Sequence, residues 1–370
     1  EIGRAMMEVD IVAYNAAVSA CGKGEQWQQS LSLLYEVLDI DLNLDTPSYN
    51  AAISACEKGL QWQPALFLLR QVCHERLGPD VISFSAAISA CEKCWQWQMA
   101  LSLLGELREY TLEPNIISCN AAISACGKGG QWQQALSLFN GLRRAQMEPD
   151  TYSYSAAVKA CQVSGLWQKA VFLFGDMWRL KVEIDAITYL VAISACDKGM
   201  EWQWAVSLLR DARHAKLIPI ANCYNAAISA CGRCGQWQQA VSLFRELIQD
   251  SQEPDTSSYN SVVRASGRSG KWELALLSLR EQAQASVELD VGSYPAAMSA
   301  CEESGNWQHA LSLFSQVRQA QLEPNVIIYS AALSSFVSGA CWQESVSCVS
   351  VLEFEGLRFS RIVAHAGNAG

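Results

Sequence analysis

Tryptophan recurs every 35 residues along the whole chain, and this period constrains the fold more than any other feature. The positions stay in register without an insertion: Trp27, Trp62, Trp97, Trp132, Trp167, Trp202, Trp237, Trp272, Trp307 and Trp342. A fixed period of this length indicates a solenoid of stacked supersecondary units rather than a globular enzyme domain. We therefore divide the chain into the tail of a preceding repeat at residues 1–10, ten tandem repeats over residues 11–360 and a C-terminal tail at residues 361–370.

Each repeat contains two apolar stripes with helical spacing, which predict a helix–turn–helix. We number places within a repeat from its first residue, so that Thr46 holds place 1 and Asp80 place 35 of the second repeat. In that repeat we expect Ser48 to cap the first helix, Lys58 and Gly59 to end it, and Trp62 to begin the second helix on its apolar stripe. Helices this short are stable only when neighbours stack. The prediction is an all-α, right-handed α-solenoid of about ten helix–turn–helix repeats with the Trp residues in its core.

The cysteines follow the same period, which indicates packing rather than chemistry. Eight of the 15 hold place 11, and that place also accepts Ser266 and Phe336. The two C-x-x-C pairs, which begin at Cys91 and Cys231, lack a paired second half, so we expect no metal site. We also expect no cofactor and no enzymatic activity, because the four histidines are scattered and form no catalytic motif.

The first helices carry a polar stripe opposite the apolar one, at places 5, 9 and 13. Its basic member at place 13 recurs in seven repeats: Lys23, Lys58, Lys93, Lys128, Lys198, Arg233 and Arg268. A cation in the last turn stabilises a helix by ~0.3–1 kcal/mol through the helix dipole. Contact with phosphate groups is the second explanation, and it accounts for the recurrence in the same turn of the same helix. Both explanations stay open at this point.

The net charge of −10 and the pI of about 5.0 argue against a nucleic-acid partner, for which a basic balance is usual. For contact with nucleic acid, the local field of the place-13 stripe matters more than the total charge. We therefore expect weaker non-specific affinity for nucleic acid than a basic protein would show. No run of apolar residues is long enough to span a membrane.

The 35-residue period, the YNAAISACEKG first helix, the W-x-x-A-L start of the second helix and the terminal Pro-Asp together resemble the pentatricopeptide repeat family. Repeats of equal length resemble its uninterrupted subclass. The resemblance implies a protein that binds single-stranded RNA, one base per repeat. It further implies a role in RNA processing, stabilisation, splicing or translation in mitochondria or chloroplasts, with recruited processing factors as additional partners and no small-molecule substrate.

The resemblance also implies which side chains read the bases, namely places 5 and 35 on the lining of an inner groove. The matching residues are Asn15, Asp45, Asn50, Asp80, Ser85, Asn115, Asn120, Asp150, Ser155, Asp185, Asn225, Asp255, Asn260, Asp290 and Ser330. In the family, Asn with Asp favours uracil, Ser with Asn adenine, and Ser with Asp guanine, so the implied target is 5′-UUAUGNUUNN-3′. Leu190 with Ile220 and Pro295 with Asn325 depart from the pattern.

At place 2 the family inserts an apolar side chain between bases. The residues that match this feature are Val12, Pro47, Ile82, Ile117, Tyr152, Ile187 and Ile327, whereas Ser257 and Gly292 do not match it.

The alternative function is a helical-repeat scaffold that binds a protein or peptide in its concave groove. We favour RNA because the exposed places of the first helices hold Asn, Ser, Asp and Lys, which suit base edges and phosphates.

Overall fold

The computed structural model describes residues 11–334 except 25, 40–43, 76, 216–219, 286, 288–292, 320–327 and 333. The chain forms two compact units, Glu1–Ile184 and Asp185–Gly370. The helices of the N-terminal unit are α1 Ile11–Lys23, α2 Trp27–Asp39, α3 Thr46–Lys58, α4 Trp62–His74, α5 Val81–Lys93, α6 Trp97–Glu109, α7 Ile116–Lys128, α8 Trp132–Arg144, α9 Thr151–Val163 and α10 Trp167–Leu180. Those of the C-terminal unit are α11 Ala186–Lys198, α12 Trp202–His214, α13 Ala221–Arg233, α14 Trp237–Gln249, α15 Thr256–Arg268, α16 Trp272–Gln284, α17 Ser293–Glu303 and α18 Trp307–Gln319.

Odd-numbered helices are the first helices of their repeats and even-numbered helices are the second. The prediction of an all-α helical repeat is confirmed over the described residues, and every second helix among them begins at its ladder Trp, as predicted. The right-handed sense of a superhelix stays a prediction.

The residue at place 35 caps the first helix of the next repeat. Asp80 accepts the backbone N–H of Ser83 at 2.7 Å and Asp45 accepts that of Ser48 at 3.0 Å. These bonds satisfy N–H groups that have no partner within the helix. The prediction that Ser48 is the cap is therefore wrong, because Ser48 is the third residue of α3 and Asp45 precedes the helix. A carboxylate also interacts more favourably than a hydroxyl with the positive end of the helix dipole.

A residue in the left-handed region at place 15 turns the chain into the second helix. Gly130 has φ +71° there, and Leu60 and Trp95 take φ +57° and +63° at the same place. The first helix of the second repeat ends at Lys58, as predicted, but Gly59 has φ −76° and is not the left-handed residue. Glycine at place 14 must therefore have another purpose.

In the second and fourth repeats that purpose is space for the Trp of the preceding repeat, whereas other repeats hold a side chain at this place: Cys94, Ser164, Cys234, Ser269 and Ser304. A Cβ added to Gly59 would lie 2.3 Å from Cδ1 of Trp27, and one added to Gly129 would lie 2.2 Å from Cδ1 of Trp97. Bare backbone at place 14 lets the indole ring pack against the turn of the next repeat. The described ladder Trp residues are only partly buried. They pack at the edge of the core and not, as predicted, within it.

The core of each unit lies between successive first helices and between the two helices of each repeat. Its members in the second repeat include the predicted stripes: Tyr49, Ala52, Ile53, Cys56, Ala65 and Leu69. Full burial of a side chain such as Ile53 contributes ~1.5–3 kcal/mol. Burial also raises the pKa of the Cys126 thiol to about 11. A thiol that stays protonated at neutral pH is a packing group and a poor nucleophile.

Within the described part of the chain, no helix combines the length and the apolar character needed to cross a bilayer. The same residues contain no group of three His, Cys, Asp or Glu side chains arranged to hold a metal ion.

Candidate nucleic-acid interface

The structure brings place 5 and place 35 of the same repeat together, although 30 residues separate them in sequence. The contact forms because the place-35 residue caps the next first helix, which packs beside the first helix that carries place 5. In four repeats an Asn amide donates to the Asp carboxylate. The Nδ2–Oδ1 distance is 3.1 Å for Asn50 and Asp80, Asn120 and Asp150, and Asn225 and Asp255, and 3.4 Å for Asn15 and Asp45.

A serine at place 3 of the following repeat completes what we call the cap–amide network. Its hydroxyl to Asn Oδ1 distance is 2.5 Å for Ser83 and Asn50, 2.7 Å for Ser153 and Asn120, and 2.6 Å for Ser258 and Asn225. A carboxylate can only accept and a hydroxyl can donate, so the amide nitrogen faces Asp and the amide oxygen faces Ser. Each amide then retains one N–H and one oxygen lone pair for a further partner.

The amides of this network lie recessed between adjacent first helices. Asn120 is 4% exposed and Asn225 is 8% exposed, whereas Asn15 and Asn50 are partly buried. The sequence predicted the lining of an open groove. The network draws the side chains inward because a buried amide is tolerated when its hydrogen bonds are satisfied. A base could therefore contact only the small exposed fraction of Asn120 and Asn225.

The third repeat presents a different set of hydrogen-bonding groups. Ser85 Oγ donates to the backbone oxygen of Val81 at 2.6 Å and lies 3.3 Å from Oδ1 of Asn115. The same Oδ1 accepts the backbone N–H of Ser118 at 2.8 Å, so it is the capping atom. The amide nitrogen of Asn115 is consequently the donor that this repeat can offer to a ligand.

For three further predicted pairs, the two members do not both lie among the described residues of one unit. Ser155 belongs to the N-terminal unit, whereas Asp185 belongs to the C-terminal unit and caps α11 there. Asn260 is partly buried, and Asp290 lies outside the described residues. Ser330 is partly buried in a short helical segment over residues 328–332.

The sixth repeat, which departs from the base-reading pattern in its sequence, lacks the cap–amide network. Leu190 holds place 5, and Ile220 precedes α13 at the cap position without a side-chain hydrogen bond to the helix. Neither side chain has a polar group to offer to a base edge.

Hydrogen bonds within the network keep two of the capping carboxylates ionised. Burial would raise the pKa of Asp150, but hydrogen bonds from the Ser153 backbone N–H and the Asn120 amide outweigh it and lower the pKa below the ordinary 3.8. The Ser153 hydroxyl proton adds to this effect and is shared between Asp150 Oδ1 at 2.8 Å and Asn120 Oδ1 at 2.7 Å. The pKa of Asp45 is lowered in the same way, because hydrogen bonds from Ser48 and from the Asn15 amide outweigh the effect of burial.

We expect acid to weaken this network. A carboxylate with a lowered pKa stabilises the fold fully above its unfolded-state pKa, near 3.8, and loses that contribution as the pH falls through the folded-state pKa. The urea midpoint should therefore drop as the pH falls from about 5 to below the unfolded-state pKa of 3.8. Asp150→Asn should reduce the acid sensitivity, because an amide caps without titrating, as Asn115 does. Glu148→Gln, the same charge change at an exposed residue, is the control. Equal acid sensitivity in Asp150→Asn and the unsubstituted protein would contradict the expectation.

Large apolar side chains are exposed at place 2, one helical turn before place 5. Ile82 is 64% exposed, Ile117 60% and Tyr152 61%, and in the other unit Ile187 is 60% exposed. Places 2 and 5 share one face of the helix because residues three apart are neighbours on its surface. Ser257 is exposed but offers little apolar surface, and Gly292 lies outside the described residues.

The cations of the place-13 stripe separate into two groups. Three of them pair with an acid at place 12 of the preceding repeat: Lys93 with Glu57 at 3.1 Å, Lys128 with Glu92 at 2.7 Å, and Arg233 with Asp197 at 3.4 Å. Lys23, Lys58 and Lys198 are exposed and form no ion pair within the described part of the chain, and Arg268 donates to the backbone oxygen of Arg233 at 2.9 Å. The helix-dipole explanation fits all seven, whereas only the second group is open to an external anion.

Two cations on the same stripe escaped the sequence-based prediction. Lys159 and Arg264 hold place 9, one turn before place 13, and both are exposed. In the fifth repeat Lys159 accompanies Val163 at place 13, so the positive charge has moved by one turn. The sequence could have indicated these two cations, because places 9 and 13 are four residues apart and therefore lie on the same face of the helix.

Family models match segments throughout the chain. The PPR repeat family model matches residues 114–163 and 221–276, the pentatricopeptide repeat domain model matches residues 277–338, and the PPR repeat model matches residues 12–42, 82–112 and 152–182. Together these segments cover more than half of the sequence. No curated protein matches the chain.

Solved structures that share the fold include two of the pentatricopeptide repeat protein PPR10. The pentatricopeptide repeat protein PPR10 in complex with an 18-nucleotide psaJ RNA element is 15% identical, with a TM-score of 0.69 over 93% of this chain and 55% of that one. PPR10 from maize is 19% identical, with a TM-score of 0.56 over 97% of this chain and 56% of that one. The chain thus spans about half the length of the solved structures that it matches.

Proposed function

Because the chain belongs to the pentatricopeptide repeat family, we propose that it binds single-stranded RNA and reads one base per repeat through places 5 and 35. The cap–amide network is the observation that carries this proposal. Asn50, Asn120 and Asn225 each hold an amide in one fixed orientation with one N–H and one lone pair unused. The Watson–Crick edge of uracil offers an N–H beside a carbonyl oxygen and so complements that amide.

The proposed target is 5′-UUAUGNUUNN-3′, with the N-terminal repeats at the 5′ end. Adenine at the third base suits the donor that Asn115 offers, because adenine N1 is an acceptor. The sixth base is unread, since Leu190 and Ile220 bring no polar group to it. The exposed place-2 side chains stack against bases, as Ile117 and Tyr152 are free to do. The solved complex of PPR10 with RNA supports the choice of ligand class.

In the cell we propose a non-catalytic clamp on an RNA of mitochondria or chloroplasts. A protein that covers a defined segment can block nucleases, expose a translation start or assist splicing, and it can recruit processing factors. This setting follows from the family, and imaging of the complete gene product fused to a fluorescent protein tests it.

Fluorescence anisotropy with the ten-nucleotide target tests the proposed function. We expect at least about tenfold tighter binding than to the same RNA with cytosine in place of each uracil, since one well-placed contact discriminates by ~1–3 kcal/mol. The variant with Leu at positions 50, 120 and 225 should lose the part of this preference that comes from the second, fourth and seventh bases. Its fold is expected to persist because Leu190 already occupies place 5.

The outcomes separate the candidate functions. Equal affinity for both RNAs would show that the repeats do not distinguish uracil from cytosine and would contradict base reading. Failure to bind any single-stranded RNA would contradict the proposed function and would favour a protein or peptide ligand in the same groove.

A further inference from the structure

We propose that the acids at place 12 determine which repeats can contact the RNA backbone. Glu57, Glu92 and Asp197 each hold the cation of the next repeat in an ion pair, so that the third, fourth and seventh repeats bring no free cation at place 13 to a phosphate. The inference rests on the proposed RNA binding. It revises the phosphate-contacting set from seven cations to those outside the pairs.

Place 12 is suited to this task because it faces the next first helix at close range. Where it is glycine, as at Gly127, an added Cβ would lie 3.0 Å from Cβ of Ala160 in the next repeat. A longer side chain at place 12 must run along this narrow interface. It therefore meets places 9 and 13 of the neighbouring helix.

Glu92 shows the full arrangement. Its Oε1 lies 2.7 Å from Oγ of Ser124 at place 9 and 2.7 Å from Nζ of Lys128 at place 13. Nζ also lies 3.4 Å from the backbone oxygen of Glu92. The Glu92 side chain is only 11% exposed. Moving Lys128 to a phosphate would leave a nearly buried carboxylate without its counter-ion, which is costly.

The other two ion pairs join the same two places, with more exposed acids. Asp197 has a side chain 14% exposed, and its carboxylate lies 3.4 Å from Nε of Arg233. Burial raises the pKa of Asp197. The charge of Arg233 opposes that rise most, with smaller contributions from a Ser229 hydrogen bond and from the charges of Arg264 and Lys198. The Glu57 side chain is 22% exposed, which makes Lys93 the most easily released of the three cations.

The exposed cations follow repeats without an acid at place 12. Gly22 precedes Lys58 by one repeat, Gln162 precedes Lys198, and Gly232 precedes Arg268. Together with Lys23 and the place-9 cations Lys159 and Arg264, these residues form the revised phosphate-contacting set. The third, fourth and seventh bases would be read without a place-13 anchor in their own repeats.

The salt dependence of RNA affinity measures this directly, because each phosphate contact on a single strand adds about 0.7 to the log–log slope. The probe is the ten-nucleotide target, titrated between about 50 and 200 mM salt. We expect Glu92→Gln to steepen the slope by about 0.7, so that this fourfold rise in salt costs the variant about 2.6-fold more affinity than the unsubstituted protein. Lys128→Ala alone should leave the slope unchanged, whereas Lys58→Ala should flatten it by about 0.7.

The double variant Glu92→Gln with Lys128→Ala should not show the steeper slope of Glu92→Gln. This result would assign the added salt dependence to the released Lys128. Glu246→Gln is the matched control: it removes the same charge from an ion pair with Arg213 at 2.7 Å, but on the second helices. Asp197→Asn repeats the test in the C-terminal unit and guards against a folding defect in the first variant.

Three results would overturn the inference while the proposed function stands: an unchanged slope in Glu92→Gln and Asp197→Asn, an equal steepening in Glu246→Gln, or a flattening by Lys128→Ala alone. Absence of RNA binding by the unsubstituted protein is a different result, and it would overturn the proposed function itself.

Discussion

Replacing Ser85 by Asn together with Asn115 by Asp is expected to change the preferred third base from adenine to uracil, by ~1–3 kcal/mol of discrimination. The substitutions recreate the cap–amide network of the neighbouring repeats. Ser118 already holds place 3, where Ser83 and Ser153 complete that network. Dissociation constants for two target RNAs that differ only in adenine or uracil at the third base measure the change.

The reciprocal exchange in the next repeat provides the control. Asn120→Ser with Asp150→Asn should favour adenine at the fourth base and leave the third base unaffected. An unchanged preference at the third base in the first double variant, with affinity otherwise retained, would show that places 5 and 35 of that repeat do not read it.

Gly129→Ala is expected to lower the free energy of unfolding by ~1–3 kcal/mol. The new methyl group would lie 2.2 Å from Cδ1 of Trp97, so the indole ring or the turn must move. Gly141→Ala is the matched control within the same repeat, because no atom lies within 4 Å of the added Cβ. That variant should gain ~0.5–1 kcal/mol, since alanine suits a helix interior better than glycine. Urea denaturation of the whole chain measures both.

Serine at the same place brings the same Cβ against the indole ring, but its hydroxyl can offset part of the cost with a hydrogen bond. Ser269 occupies place 14 in another repeat and donates to the backbone oxygen of Gly235 at 2.9 Å. Gly129→Ser could form the equivalent bond to the preceding turn, so it should cost less than Gly129→Ala. A neutral effect of Gly129→Ala would contradict the spacing argument for glycine at place 14.

The apolar pattern was sufficient to predict the helices and most of the core. Tyr49, Ile53 and Cys56 repeat at helical spacing, and the structure buries all three. Local patterns of this kind are readable because a helix places residues three and four apart on one face. The position of the caps was not readable in the same way, because Ser48 and Asp45 are both good capping residues and only the backbone path selects Asp45.

The resemblance indicated which residues pair at the candidate site but not how their side chains are held. The resemblance named Asn50 and Asp80 as partners, and the structure brings them within hydrogen-bonding distance. It did not reveal that the amide is recessed, nor that a serine of the next repeat holds its oxygen. The pairing of Lys128 with Glu92 was equally hidden, because the two residues lie 36 positions apart and meet only across stacked repeats.

The sequence by itself determined the period, the two helices of each repeat and the residue types that face outward, because all of these depend on spacings within one or two helical turns. The tertiary structure decided which of the outward polar groups remain available. Stacking sets the place-35 cap of one repeat against the amide of another and the place-12 acid against the next cation. Hydrogen bonds and ion pairs between repeats depend on distances that no local pattern contains, so the division between occupied and available groups is a property of the packed helices.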